Sequence, residues 1–425
     1  MRRIFIVLGL VLLWLPCTQV ALSQNAEPAD SSDVWDAFSL EGYGTVNYFA
    51  YDWDTDPARR NVVDLERFVL YPGYRFSERV TLLGEIEFEH GGTGVTKELD
   101  LFEEFGEFEN EIEAGGEVLL EQLNVRIALS PDVALRIGKF KLPIGLAALN
   151  DEPQEYFGTT RAESEAAVIP TNWYEIGAQV EGTAGPLAYS AGIVNGLNSA
   201  EFSAANWVVR GQQQKFEDVA AENVAFTGRL DYHVGDERFI GISGYVGDSA
   251  DNRRKSTLAD DDGTSVNATV TVVDGHLQWL QGPFTARAIV VYGHLQNSDI
   301  VSTTNANLSR NLNAKGTPVG SDMLSYRVEA GYDVLSLFDV APEQRLDVFA
   351  RYAYYDTHYR TEGTINNDAL WERAVYSGGL NYRLVDGVVF KAQLDQRIRG
   401  RGRLIQGTRS GDTETTVSLG MGIQF

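Results

Sequence analysis

The feature that most constrains this chain is the rhythm of its connections. From Ser39 onward the sequence parses into sixteen extended segments, from 39–53, 62–76 and 79–91 through to 370–384, 386–399 and 412–425. The links between them alternate. Short ones fall at Ser77-Glu78, Ser130-Pro131, Ala184-Gly185, Gly235-Asp236 and Val385-Asp386, with a slightly longer one at 339–343. Long ones fall at 54–61, 92–116, 142–171, 196–221, 249–264, 299–320, 359–369 and 400–411. Short turns on one side and long loops on the other describe an antiparallel barrel that crosses an outer membrane. A solenoid or propeller would show a fixed repeat, and none is present.

The residues within the segments agree. In 412–425, Val417, Leu419, Met421, Ile423 and Phe425 share one face of a strand, while Thr416, Ser418, Gly420, Gly422 and Gln424 share the other. In 321–335, Leu324, Tyr326, Val328, Ala330 and Tyr332 oppose Ser325, Arg327, Glu329 and Asp333. In 386–399, Phe390, Ala392, Leu394 and Ile398 oppose Lys391, Gln393, Asp395, Arg397 and Arg399. An Arg or Lys facing lipid near the midplane costs about 2–4 kcal/mol, so the charged sets are assigned to the lumen. The expected fold is all-β, a transmembrane antiparallel up-and-down barrel of about sixteen strands. A ring of that size leaves an aqueous channel. Tyr352, Tyr354, Tyr355, Tyr359, Tyr376 and Tyr382 are candidates for the aromatic girdles at the membrane interfaces.

The first residues supply an export address. Arg2 and Arg3 precede the apolar run Ile4–Leu15, which is too short to span a bilayer, and Ala21-Leu22-Ser23 offers a cleavage site. Residues 1–23 therefore read as a signal peptide, 24–37 as a flexible periplasmic lead-in, and 38–425 as the barrel, placed in a bacterial outer membrane. The single cysteine, Cys17, leaves with the signal, so no disulfide or thiol chemistry is expected. A net charge of −25 argues against nucleic acid as a partner. Much of the acid lies in segments that read as solvated loops, Glu98–Glu117 and Asp260-Asp261-Asp262. The five histidines are scattered without metal-ligand spacing, and no phosphate-cradling glycine loop occurs, so no metal, cofactor or enzymatic activity is expected.

One internal stretch is distinctive. Glu117-Val-Leu-Leu-Glu-Gln-Leu-Asn-Val-Arg126 leads through a short turn to Leu135-Arg-Ile-Gly-Lys-Phe-Lys-Leu-Pro-Ile-Gly-Leu146, and WYEIGAQVEG follows at 173–182. Over about 80–182 these motifs, in this order, resemble the phosphate-selective porin O and P family. The resemblance implies a homotrimeric sixteen-stranded porin whose long third loop, here 142–171, folds into the lumen and narrows it. It also implies basic side chains that draw in anions such as phosphate. A low-dielectric constriction lined by Arg and Lys would focus such potential.

The pore-lining and constriction candidates are Arg126, Arg136, Lys139 and Lys141 beside the third loop, Arg161 within it, and Arg327, Arg397 and Arg399 farther along. Glu85 and Glu87 face the same lumen, as do Glu181, Asp274, Glu329 and Asp395, and the loop carries Asp151, Glu152, Glu155, Glu163 and Glu165. So many carboxylates would either pair with the basic groups or favour cations. The run Arg397–Arg403 reads equally as a basic rim at the outer mouth or as a loop that binds lipopolysaccharide phosphates. The expected function is passive diffusion of small hydrophilic solutes or ions, with outer-membrane lipid and lipopolysaccharide as surroundings. Two alternatives stay open: a closed or selective barrel whose acidic loops bind a surface partner, and a soluble secreted β-rich binding module.

Overall fold

A computed structural model of the chain gives the architecture. It describes residues 36–92, 97–100, 111–114, 116–170, 172–212, 219–235, 237–253, 257–260, 262–308, 316–338, 343–400 and 413–425. The signal, most of the lead-in, Arg401 and Arg403 lie outside these residues. Ser39–Phe425 form one compact unit.

Sixteen strands close into one ring. In chain order they are β1 (Phe38–Trp53), β2 (Val62–Arg75), β3 (Val80–Glu89), β6 (Glu117–Ser130), β7 (Val133–Lys141), β8 (Tyr174–Ala184), β9 (Leu187–Asn195) and β10 (Val224–Gly235). They continue with β11 (Arg238–Asp248), β12 (Thr269–Gln281), β13 (Phe284–Leu295), β14 (Asp322–Asp333), β15 (Arg345–Arg360), β16 (Glu372–Val385), β17 (Val388–Arg399) and β18 (Thr413–Gln424). A small hairpin, β4 (Lys97–Asp100) with β5 (Glu111–Ala114), sits in the connection between β3 and β6. Each barrel strand pairs with its neighbour, and β18 closes antiparallel on β1, with Tyr43 opposite Gln424 and Tyr51 opposite Thr416. Closure removes the free sheet edge, which is what a strand-built protein needs in lipid.

Strand parity fixes the faces as expected. On β18, Val417, Leu419, Met421, Ile423 and Phe425 are exposed and Ser418 is buried. On β14, Val328 and Tyr332 are exposed while Ser325, Arg327 and Glu329 are buried. At one of several register shifts, parity changes in a way period-two reading cannot see. The register slips between Glu85 and Ile86, so β6 accommodates Glu121 as an extra residue. Leu120 and Leu123, three apart, are both outward and about half exposed. This is a β-bulge, which turns the following side chains onto the opposite parity.

Two expectations are corrected. Tyr355 cannot join the outer girdle, because Tyr354 beside it already faces out, stacked on Tyr326 at 5.1 Å. Tyr355 points inward, buried, and its hydroxyl donates to Glu163. Nor is the inward face polar throughout. Toward the long loops it carries Tyr245, Val270, Val272, Val291, Leu295 and Met323, all buried. These pack in one core with Leu142, Ile144, Leu146, Val168 and Ile169 of the third long connection, with Trp173 just before β8, and with Phe202, Trp207 and Val208 of the next connection. Alternation alone hides this: Val270 and Val272 flank Thr271 and point inward, while Val273 is half exposed on the outer face.

Candidate functional site: the third connection and the inward charges

Residues 142–171 join neighbouring strands β7 and β8, yet their partners lie all round the ring. At the root, the Gly145 amide donates to Ser243 Oγ on β11 (3.0 Å) and Asp274 Oδ2 on β12 (3.1 Å), and Arg229 of β10 donates to the Gly145 carbonyl (2.7 Å). Farther on, Arg383 of β16 donates to the Gln154 carbonyl (3.1 Å), and Lys391 of β17 to that of Tyr156 (2.8 Å). Asn381 of β16 donates to the Phe157 carbonyl (3.0 Å). The Thr159 amide donates to Gln393 Oε1 on β17 (3.0 Å), and its hydroxyl lies 2.7 Å from that of Ser418 on β18. A one-turn helix, α1 (Glu163–Ala166), then meets β14, where Ser325 Oγ donates to the Ser164 carbonyl (2.5 Å). In the ring, β15 stands eight positions from β7.

Glycines on the inward parity make room for this segment. A Cβ on Gly331 would lie 2.3 Å from the Phe157 ring, and one on Gly422 would lie 2.4 Å from Pro153. Gly145 itself has φ +75°, and a Cβ there would meet Glu165 Oε1 at 2.6 Å. The inward small residues of β18 are thus seats, not merely spacers.

The candidate charges fall into four groups, and each basic candidate has an acidic partner. Asp151 is the hub of the first: it takes Lys141 (2.7 Å), Arg161 and Arg67 (3.3 Å), and Arg67 also bonds Glu87. Burial pushes the Asp151 carboxyl up, but Lys141, Arg161 and Arg67 outweigh it and hold the group well below the usual carboxylate range. In the second, Arg327 bridges Glu165 (3.1 Å) and Glu329 (2.9 Å), and Arg287 reaches Glu329 at 3.4 Å. In the third, Arg397 joins Glu163 (2.5 Å) to Glu414, and Arg399 adds a second contact to Glu414 (3.3 Å). Burial raises Glu163, yet Arg397 and the Tyr355 hydroxyl bring it below its ordinary value. In the fourth, Arg126 and Arg136 stand directly opposite on β6 and β7 and share Glu181 at 2.8 and 3.1 Å. Lys139 lies 3.7 Å from Glu121, and Glu85 accepts from Gln122 (2.5 Å) and Tyr174 (2.7 Å).

Exposure separates these groups. Arg126 keeps 45% of its side-chain surface, whereas Arg327, Glu329, Glu165 and Glu414 keep 7% or less. A buried charge survives only when paired and hydrogen-bonded, and these are. Arg397 and Arg399 are neutralised within the barrel, so the described half of the basic run is not a free rim.

Sequence reading put Lys391 and Gln393 on the lumen face without making them constriction candidates, and it missed Arg67 and the glycine seats. It also missed a buried cluster on β10–β12, in which His276 lies between Asp274 (2.5 Å) and Asp231 (2.7 Å). Ser243 bonds Asp274 rather than the imidazole, so this is not a nucleophile–base pair.

A cavity of about 740 Å³ opens at the short-turn end. Loop residues Glu152, Glu155, Tyr156 and Phe157 line it, together with Arg287, Arg345 and Arg383 and the turn residues Gly282 and Gly387. Burial, with Glu155, Asp151 and Glu41 nearby, pushes Glu152 up to about 7.

No protein-family model matches the chain. A protein of Aquifex aeolicus described as uncharacterized is 28% identical over 358 residues, 83% of this chain and 74% of that one. Among solved structures, an anion-selective porin from Comamonas acidovorans aligns at 12% identity and a TM-score of 0.50, covering 91% of this chain and 99% of its own. OmpT, an outer membrane protein of Vibrio cholerae, aligns at 10% identity and a TM-score of 0.49, over 94% and 100%. At the level of fold, the chain is a closed sixteen-stranded barrel of the kind found in outer-membrane porins.

Proposed function

We propose that this protein is an outer-membrane porin through which small hydrophilic solutes or ions diffuse passively. The observation that carries the reading is the closed ring of sixteen strands with its apolar residues outside. Leu230, Ile240, Ile242, Val273, Val290, Val328, Leu380, Leu394 and Leu419 are each more than a third exposed on that surface. Water would not tolerate such a band, whereas bilayer hydrocarbon requires it. The same band speaks against a soluble secreted module. Delivery by a cleaved signal at 1–23 and assembly as a homotrimer complete the proposal.

Residues 142–171 form the narrowest part of the route in this reading. A segment that joins adjacent strands and bonds inward side chains on the opposite wall has to cross the interior, which supports an in-folded third loop. Anions such as phosphate are the solutes that the family resemblance implies. The geometry lends that specificity little support, because Arg126, Arg136, Arg161, Arg327, Arg397 and Arg399 are bonded to carboxylates and present no free guanidinium cluster. Weakly selective passage is the better fit. Reversal potential under a KCl gradient, repeated with phosphate, tests it. A value near zero or favouring cations is expected; strong anion preference with phosphate block would restore the named specificity.

A further inference from the structure

We propose that residues 142–171 act as a latched plug and that full conductance requires their release, with Glu163 and Glu165 of α1 as the latch. This rests on the porin reading above and goes beyond it, because a constriction narrows an open pore whereas a plug must move.

Three independent features support a seated plug. The first is burial of charge. In a water-filled lumen the inward Arg, Lys and carboxylate groups of β13 to β18 would face solvent. Instead Arg287, Arg327, Glu329, Arg351, Lys391 and Glu414 are each less than a tenth exposed. Loop atoms occupy the space that water would fill. The second is the kind of bond that holds the segment. Its backbone carbonyls at Gln154, Tyr156, Phe157 and Ser164 accept from four wall side chains. Loop-to-wall bonds made by the main chain persist whatever side chains the loop carries, and all of them must break together if the segment moves. The third is fit. Phe157 fills the gap over Gly331 and stacks flat on Phe349, with centroids 5.2 Å apart and planes at 7°. Pro153 fills the gap over Gly422.

The latch lies at the end of the segment farthest along the wall. Glu165 takes the Ala147 amide at 2.6 Å with one oxygen and Arg327 at 3.1 Å with the other. It therefore clamps the outgoing limb of the segment to the returning one and ties both to β14. Glu163, two residues earlier, takes Arg397 of β17 and the Tyr355 hydroxyl of β15. All are charge-assisted bonds; those of Glu165 are buried, so admitting water removes much of their strength, while Glu163 keeps 38% of its side-chain surface and adds a weaker hold. The root of the segment, held by Gly145 on β11 and β12, is the natural pivot.

The test uses single-channel recording of the full-length protein in planar bilayers, in three forms. Wild type is expected to show brief openings separated by long closures. E163Q/E165Q keeps the shape of the latch and removes its charge, and the open fraction should rise by roughly tenfold or more, since charge-assisted bonds are about twice as strong as neutral ones. T159C/S418C places two thiols where hydroxyl oxygens now lie 2.7 Å apart. Its disulfide should hold the pore shut under oxidising conditions, and reductant should restore wild-type openings. Heat-modifiable gel migration establishes that each form is a folded barrel. If the oxidised staple conducts as freely as wild type, the segment is a fixed constriction and the plug is refuted, while the porin reading stands. If folded E163Q/E165Q and the reduced staple never conduct, the porin reading itself fails and this inference with it.

Discussion

Truncating Phe157 to alanine isolates the packing of the third connection from the stability of the barrel. Phe157 is buried, stacked on Phe349, and has the Arg287 guanidinium 5.4 Å from its ring centroid. A buried Phe→Ala change costs about 3–5 kcal/mol, of which the paired ring accounts for about 0.5–1.5 kcal/mol. Phe157 belongs to the connection and not to a strand, so the loss falls on the equilibrium between seated and lifted segment. At the lower bound, about 3 kcal/mol corresponds to a rise of roughly a hundredfold in the lifted population, since each 1.4 kcal/mol is tenfold. Amide hydrogen exchange reads this directly. Amides with loop-to-loop or loop-to-wall bonds, such as those of Thr159 and Ile169, should exchange about a hundredfold faster. Amides in the β13–β14 ladder should keep their protection. The double variant with F349A should show a coupling of about 0.5–1.5 kcal/mol. Unchanged exchange in 150–169, or acceleration spread equally through the strands, would refute the claim that this ring holds a separately seated segment.

Three further outcomes are expected. Ion selectivity should shift toward cations as pH rises through about 7, where Glu152 in the short-turn cavity gains its charge, and E152Q should abolish that step in reversal potential. Asp151 and Glu163 titrate below their ordinary values, so the stability they contribute is present above their unfolded values and lost as pH falls through the folded ones. Limited proteolysis within 142–171 should therefore quicken in acid. Finally, L394R places a guanidinium on the outward face of β17, where Leu394 is half exposed, and should cost about 2–4 kcal/mol in denaturant unfolding from lipid.

The barrel was legible in the sequence because its signals are local. Alternation along 412–425 or 321–335 needs no knowledge of distant residues, and turn length needs none either. What the sequence hid depends on three-dimensional juxtaposition. Arg327 and Glu329 fall on the inward parity and are buried there; that Glu165 covers them follows only from the path of 142–171 across the ring. Gly422 reads from the sequence as an ordinary inward small residue, and nothing in the sequence marks Gly331; their role follows from Pro153 and Phe157 lying above them. The apolar inward residues of β12 left no such trace, since Val270 and Val272 alternate with Thr271 and only their packing against distant loop residues shows that they face inward. Tyr355 was misplaced by grouping tyrosines without regard to parity.

The central claim is that this barrel provides an aqueous route across a membrane, and ionic current through single barrels in a planar bilayer tests it most directly. Discrete, uniform conductance steps are expected from E163Q/E165Q, with rarer steps of the same size from wild type. A folded, heat-modifiable, membrane-inserted barrel that gives no steps in either form would contradict it.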